Sequence, residues 1–376
     1  MTQRVRVAVL FGGRSGEHEV SLMSAESVMK ALDPAKYEVI PIGITKDGRW
    51  LVGDDPLAAL KEGAKERLAQ MVPAAFLADP AGPGLVAVGG RPPAELAERL
   101  AFDVVFPVLH GPNGEDGTVQ GLLELAGVPY VGSGVAGSAV GMDKALMKAV
   151  FRSAGLPVLD YVVIKRKHIA SRWDQIREQV ASLIGYPCFV KPANLGSSVG
   201  ISKVKQEEEL RDALEEAARY DRKILVEKAA EGFREVEVSV LGNDEPETSI
   251  PGEIVPGGEF YDYRAKYLDD SSELIIPARI SPQATDEVRR LAAAAFLAVD
   301  AAGLARVDFF VHPETETIYV NEINTMPGFT RISMYPKLWE ASGLPYPQLI
   351  DRLIELAFER HREKRAPETG FAGEEA

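Results

Sequence analysis

Short runs rich in β-branched residues alternate along this chain with stretches that are apolar at every third or fourth position. RVRVAVLF (4–11) predicts a strand, GGRSGEHEVS a Gly-rich loop, and 22–32 a helix with Leu22, Ala25, Met29 and Leu32 on one stripe. EVIPIGIT (38–45) and FDVVFPVLH (102–110) predict two more strands, and EDGTVQGLLELAG (115–127) a helix closed by Gly127. Strands alternating with helices predict a parallel sheet covered on both faces. The Ala-, Gly- and Pro-rich region 53–100 predicts only a peripheral helix or hairpin.

Near VPYVGS (128–133) the pattern changes. A helix around 142–154, a strand at 158–165, a polar helix at 172–184, the run CFVKPANLGSSVGISKV, a charged amphipathic helix at 207–220 and the strand KILVEK (223–228) follow in order. Together they have the size of a small α+β domain. From 227 onward come strands at 235–241, 305–311 and 317–323, a loop at 256–273, and helices at 283–301 and 346–362. The tail RAPETGFAGEEA has the composition of a disordered segment. With 376 residues, two or three domains are expected, and there is no internal repeat.

Composition narrows the function. Hydrophobic (46%) and charged (26%) shares are those of a soluble globular chain. A formal net charge of −14 without a Lys/Arg block argues against a nucleic-acid partner, yet leaves room for small anions held by local lysines and backbone N–H groups. The single cysteine, Cys188, excludes intrachain disulfides and cysteine metal clusters. No apolar run approaches the ~18 residues of a membrane helix, and MTQRVRVAVLFGG offers no signal-peptide core, so a cytoplasmic protein without a membrane partner is expected.

Three stretches carry candidate chemistry. FVKPANLGSSVGISKV (189–204) sets Lys191 before a Gly/Ser loop, which suits a phosphate clamp and equally a surface hairpin. ILVEKAAEGFREVEVSV (224–240) offers Glu227, Lys228 and Glu235 to an adenine and a ribose, or forms a linker with solvated charges. ARVDFFV (305–311) puts Arg306 and Asp308 on one face of an apolar strand, and in NEINTMPGFTR (321–331) Glu322 and Asn324 share one side. Asp308, Glu322 and Asn324 on adjacent antiparallel strands predict a Mg²⁺-nucleotide site; the rival is an Arg306–Asp308 ion pair.

The order of GGRSGEHEVS, LHGPNGEDGTVQG, GMDK, VKPANLGSSVGI, EFYDYRAKY, ARVDFF and NEINTMPGFTR resembles the ATP-grasp ligases and, more narrowly, the D-alanine–D-alanine ligase family, over about residues 4–360. The resemblance implies an α/β and α+β chain of three domains: a Rossmann-like N-terminal parallel-sheet domain (1–128), a central ATP-grasp subdomain (129–226) and a C-terminal one (227–362) with a lid at 256–273, before a tail at 363–376. It further implies ATP and D-alanine as substrates, two Mg²⁺ ions (or Mn²⁺) on Asp308, Glu322 and Asn324, and a homodimer. Lys144, Lys191, Lys266 and the loop containing Ser198 would contact phosphates, while Glu227, Lys228 and Glu235 hold adenine and ribose. Arg306 and the Gly328 N–H would face a developing oxyanion.

At the substrate end, the resemblance gives Glu19 the ammonium of the first D-alanine with His110 nearby, and gives Ser333 and the Met334 backbone the carboxylate of the second. Ser197 and Tyr267 would join Glu19 in one hydrogen-bond network. The implied reaction makes D-alanyl-D-alanine through an acyl phosphate, for peptidoglycan synthesis. A D-alanine–D-lactate or D-serine ligase is the alternative. Ala229 and Ala230 depart from the larger apolar residues usual in the family, and an extra residue precedes Glu235.

Overall fold

The computed structural model describes residues 4–81, 84–88, 101–255 and 273–365. The chain begins β1 (Val5–Gly12), α1 (His18–Ala31), β2 (Tyr37–Ile44), β3 (Trp50–Val52), α2 (Pro56–Glu62), α3 (Lys65–Gln70), β4 (Val72–Leu77), β5 (Gly84–Ala87) and β6 (Val104–Pro107). These strands form one sheet in the order β5-β4-β3-β2-β1-β6. Only β1 with β2 and β6 is parallel; β3, β4 and β5 extend the sheet as antiparallel hairpins. The parallel sheet read from the sequence is therefore only β1 with its two neighbours, and the described part of the region 53–100 supplies β4 and β5 of the antiparallel edge.

Then follow α4 (Thr118–Leu125), α5 (Val135–Met142), α6 (Lys144–Ser153), β7 (Tyr161–Lys165), α7 (Trp173–Leu183), β8 (Cys188–Pro192), β9 (Ser202–Val204), α8 (Leu210–Tyr220) and β10 (Lys223–Lys228). The helix expected over 142–154 starts at Lys144, because Asp143 leaves helical geometry (ψ 98°) and caps α6 by accepting from the Ala145 and Leu146 N–H groups. The antiparallel order β7-β10-β8-β9 puts alternate residues on two faces. Cys188, Val190, Ile224 and Val226 pack under α7 and α8, while Phe189, Lys191, Glu227 and Lys203 lie on the opposite, cleft-facing side.

The third sheet is built from β11 (Arg234–Gly242), β12 (Glu247–Thr248), β13 (Gly252–Val255), β14 (Glu273–Ile275), and, after α9 (Pro282–Ala298), β15 (Gly303–Val311) and β16 (Ile318–Asn324). Its order is β14-β13-β11-β15-β16, with β12 paired to β11. Val236, Val238, Val307, Phe309 and Val320 face α9 in one core. α10 (Met334–Ala341), an eight-residue helix that the sequence pattern did not reveal, and α11 (Tyr346–Arg365) complete the chain.

One irregularity positions the site. In an even strand Ile318, Val320, Glu322 and Asn324 would all point to one face. The ladder shifts register between Asp308 and Phe309, so that Phe309 faces Val320 but Asp308 faces Glu322. Asn321 is the extra residue of this bulge, and it turns the strand from its apolar phase to its polar one. Val320 is fully buried, whereas Glu322 and Asn324 emerge on the cleft side.

The last helix does not stay with its own sheet. Leu349, Ile350, Leu353 and Ile354 of α11 share a core with Val7, Val9 and Phe11 of β1 and Phe106 of β6. Each such fully buried aliphatic side chain contributes roughly 1.5–3 kcal/mol.

Candidate active site

Between the central and C-terminal sheets lies a cleft of about 470 Å³, within the range typical of a small-molecule site. From the central side Lys144, Lys191, Ser198, Lys203, Glu227 and Lys228 line it; from the C-terminal side come Glu235, Glu237, Asp308 and Glu322. The phosphate, adenine and metal candidates read from the sequence, except Asn324 and Lys266, thus converge on one space. Lys266, Tyr267 and the lid residues 256–272 lie outside the described residues.

The ladder aligns Glu237, Asp308 and Glu322 side by side across β11, β15 and β16, with Arg306 and Asn324 opposite one another in the next row. The Arg306 guanidinium holds Asp308 through two bonds of 2.7 Å and approaches Glu237 at 3.0 Å. Lys144 Nζ stands 3.3 Å from Glu322 and donates to the Leu195 carbonyl at 2.8 Å. Asn324 Oδ1 accepts the Met326 N–H at 3.1 Å, which fixes the turn that follows. The Arg306–Asp308 ion pair, the rival reading, is therefore present, and it sits within the cluster of oxygen donors.

Two facing carboxylates and a carboxamide form a hard-oxygen set that fits Mg²⁺. Among the described residues no three His, Cys, Asp or Glu side chains gather as a complete metal cage. A partial protein shell suits Mg²⁺, which keeps waters and takes substrate phosphates into its remaining positions.

At the cleft floor Glu227 is buried between two lysines. Lys191 Nζ reaches its Oε2 at 2.7 Å, and Lys148 Nζ pairs with Oε1. Burial alone would raise the Glu227 carboxyl, but the two ammonium groups hold it below the usual carboxylate range. Lys148 was not among the residues singled out from the sequence. The available signal was its place on the apolar stripe of α6 with Ala145 and Phe151.

The Gly/Ser loop reaches the N-terminal domain. Ser197 Oγ donates to Glu17 Oε1, and added Cβ atoms at Gly111 and Gly196 would meet Glu17 Oε2 at 2.8 and 3.0 Å. A side chain at either position would press on the carboxylate and make it shift. Ser197 and Ser198 both adopt left-handed backbone (φ 50° and 59°), a strained geometry for serine, next to the bond from Ser197 to Glu17.

The expectation that Ser197 bonds to Glu19 is corrected. Glu19 is exposed and pairs with Lys46 at 2.5 Å, which holds its carboxyl below the ordinary range. The helix starts at His18, not at 22, so two residues amount to roughly 200° of rotation and turn Glu19 toward solvent. Glu17, at the N-cap of α1, is the carboxylate that faces inward.

A small cavity of about 60 Å³ joins Glu17 and Ser197 to Arg306, Glu322 and Asn324, with Glu115 in its wall. Burial and the nearby Glu17 charge push the Glu115 carboxyl well above the usual carboxylate range, and the Gly111 N–H donates to it at 2.9 Å.

His110 is buried, and desolvation pushes its imidazole below the usual value, so it stays neutral. Its Nδ1 lies 2.9 Å from the Met326 carbonyl, which requires a proton there, so Nε2 accepts from Ser24 Oγ at 3.1 Å. Ser24 Oγ in turn accepts the Phe329 N–H at 3.2 Å. Two N-terminal residues thus bracket the Pro327-Gly328 turn from both ends. Ser333 precedes α10 and bonds to Thr330, while the Met334 side chain packs with Ile254 and Leu338. Lys228 is exposed at the end of β10.

The family model described as D-ala D-ala ligase N-terminus matches residues 6–133, and that described as D-ala D-ala ligase C-terminus matches 150–355. A D-alanine–D-alanine ligase of Ruminiclostridium cellulolyticum is 53% identical over 365 residues, covering 96% of this chain and 97% of that one. Among solved structures, the D-alanine–D-alanine ligase from Coxiella burnetii superposes with a TM-score of 0.81 at 40% identity, over 97% of each chain. The VanG D-Ala:D-Ser ligase from Enterococcus faecalis gives 0.82 at 38%, covering 94% of this chain and all (100%) of that one. The chain belongs to the D-alanine–D-alanine ligase family.

Proposed function

We infer that the protein is an ATP-dependent ligase that joins two D-alanine molecules into D-alanyl-D-alanine, with release of ADP and phosphate, for peptidoglycan synthesis. Support comes from nearly full-length relatives at about half identity that are D-alanine–D-alanine ligases. The observation that carries the mechanism is the cavity shared by Glu17, Ser197, Arg306, Glu322 and Asn324; we read it as the place where the amino-acid site meets the phosphate-and-metal site.

In this reading Lys144, Lys191 and the Ser198 loop hold the phosphates, Glu227, Lys228 and Glu235 the adenosine, and Asp308, Glu322 and Asn324 two Mg²⁺ ions, with Mn²⁺ as a substitute. Held by these residues, the metal would supply positive charge to the phosphates. Glu17 faces the ammonium of the first D-alanine. The carboxylate of the second lies at Ser333 and the Met334 N–H, where the N-terminus of α10 favours an anion. Arg306 and the Gly328 N–H stabilise the oxyanion that forms as the second amine attacks the acyl phosphate. Neutral His110 holds the Gly328 turn. We further propose a cytoplasmic homodimer; among the described residues no helix is long and apolar enough to cross a membrane.

Phosphate release from ATP, measured with single amino acids and with pairs of D-alanine, D-serine, D-lactate and L-alanine, tests the assignment. Release greatest with D-alanine alone is expected. Release requiring D-serine or D-lactate as second substrate would instead favour the alternative activity, for which the likeness to VanG is the observation.

A further inference from the structure

We propose that Lys148 is the standing counter-ion of Glu227, a positioning residue that frees Lys191 to leave Glu227 for the phosphates of a bound nucleotide. The proposal rests on the reading of Lys191 as a phosphate contact.

Each oxygen of the Glu227 carboxylate has its own cation. The two lysines differ in what they can do next. Lys191 lines the cleft, so its ammonium can turn toward a ligand; Lys148 does not line it and is 1% exposed. Lys148 is further held by its bond of 2.9 Å to the Asn321 carbonyl. That carbonyl belongs to the bulged residue of β16, where the regular pairing of the ladder is interrupted. Lys144, one turn earlier on α6, reaches Glu322. One helix face therefore grips both the metal-bearing strand and the nucleotide-facing carboxylate.

When Lys191 swings to a phosphate, Glu227 loses one of its two partners in a dry environment. A buried carboxylate with no cation left takes up a proton. With Lys148 in place, one ammonium remains and the carboxylate stays charged. Among the described residues, the other groups that act on this centre are Tyr161 from β7, paired beside Glu227 in the ladder, and Glu235 and Glu322, whose charges act on Lys191. None of these supplies a second cation.

The test is calorimetry of ADP binding with Mg²⁺ in buffers of different ionisation enthalpy. It is run from about pH 7.5 to pH 9, above the second phosphate pKa of about 6. The unaltered protein and Lys148→Arg should bind without net proton uptake. Lys148→Met should take up about one proton, with affinity falling about tenfold per pH unit. Adding Glu227→Gln to Lys148→Met should abolish the uptake and flatten the profile, an outcome that loss of packing alone would not produce. Proton-neutral binding by Lys148→Met would overturn the proposal. So would proton uptake by the unaltered protein, a measurement that holds even if the single variant fails to fold. Lys191→Met tests the underlying reading separately: ADP affinity equal to the unaltered protein's would sink the phosphate contact itself.

Discussion

On the central sheet Lys191 and Lys203 stand on the face that carries Glu227; on the C-terminal sheet Glu235, Glu237, Asp308 and Glu322 stand on the face that carries Arg306. On each side one charge is held between two of the opposite sign, with Lys148 contributed by α6 and not by the sheet. Glu227 sits between Lys148 and Lys191, and Arg306 between Glu237 and Asp308. The two triads are charge-inverted copies. They differ in burial: Glu227 and Lys148 are each 1% exposed, while the Arg306 and Asp308 side chains are each 14% exposed. Opposite surfaces suit a ligand that is itself two-signed, with anionic phosphates on one side and a cation on the other. The dry Glu227–Lys148 pair is the fixed frame, while Lys191 and the wetter Arg306 triad can exchange partners.

The most damaging change should fall on the acidic side. Glu322→Gln keeps the shape but removes one of the two facing carboxylates. Turnover should drop by about 10³-fold or more with the melting temperature unchanged, on the scale of losing a group that stabilises transition-state charge. Near-normal phosphate release at ordinary Mg²⁺ would break the comparison at its centre. Next comes the contact that ties the basic side to the N-terminal domain. Glu17→Gln should lower kcat/KM by about 10²-fold, whereas Glu19→Gln, exposed beside Lys46, should change it by less than about twofold. Equal effects from the two would contradict the assignment of Glu17.

A smaller loss is expected at Arg306→Lys, which keeps the charge but loses the two-pronged grip on Asp308. We expect kcat to fall about tenfold, in line with the loss of a charged hydrogen bond of about 1.5–3 kcal/mol, with a shift in the Mg²⁺ concentration needed for half-maximal rate. The smallest effect is on stability. Glu115 has its carboxyl raised by burial and by Glu17. A raised folded value means that the stabilisation is complete below the unfolded carboxyl pKa and is lost as pH climbs through the folded one. Glu115→Gln should therefore melt higher than the unaltered protein at alkaline pH, with the gap closing toward pH 4.5. A gap independent of pH would show that Glu115 is not ionising within the fold.

The acidic side was the easier one to read in the sequence. Arg306 and Asp308 stand out because they interrupt an apolar strand, and Glu322 and Asn324 because they share a strand parity. The bulge at Asn321 that points them into the cleft leaves no mark in the alternation, since it is a property of the pairing with β15. On the basic side Lys191 and Glu227 end recognisable strands, but Lys148 looks like any lysine of an amphipathic helix until its neighbours are in place. Glu17 and Glu19 are separated by one residue in GEHE; only the start of α1 at His18 decides which faces inward. Lateral neighbours such as Glu237 likewise depend on which strands adjoin.

The shared core of α11 with β1 and β6 bears on how the chain is made. Val5 and Tyr346 open the two elements concerned, so more than three hundred residues must be synthesised after the first strand before its covering helix exists. Until then the apolar face of Val7, Val9 and Phe11 is covered only in part, by Leu22, Ala25 and Val28 of α1. Contacts this distant in sequence slow folding, and surface left open during synthesis is what chaperones bind. The first sheet to leave the ribosome is among the last to be finished.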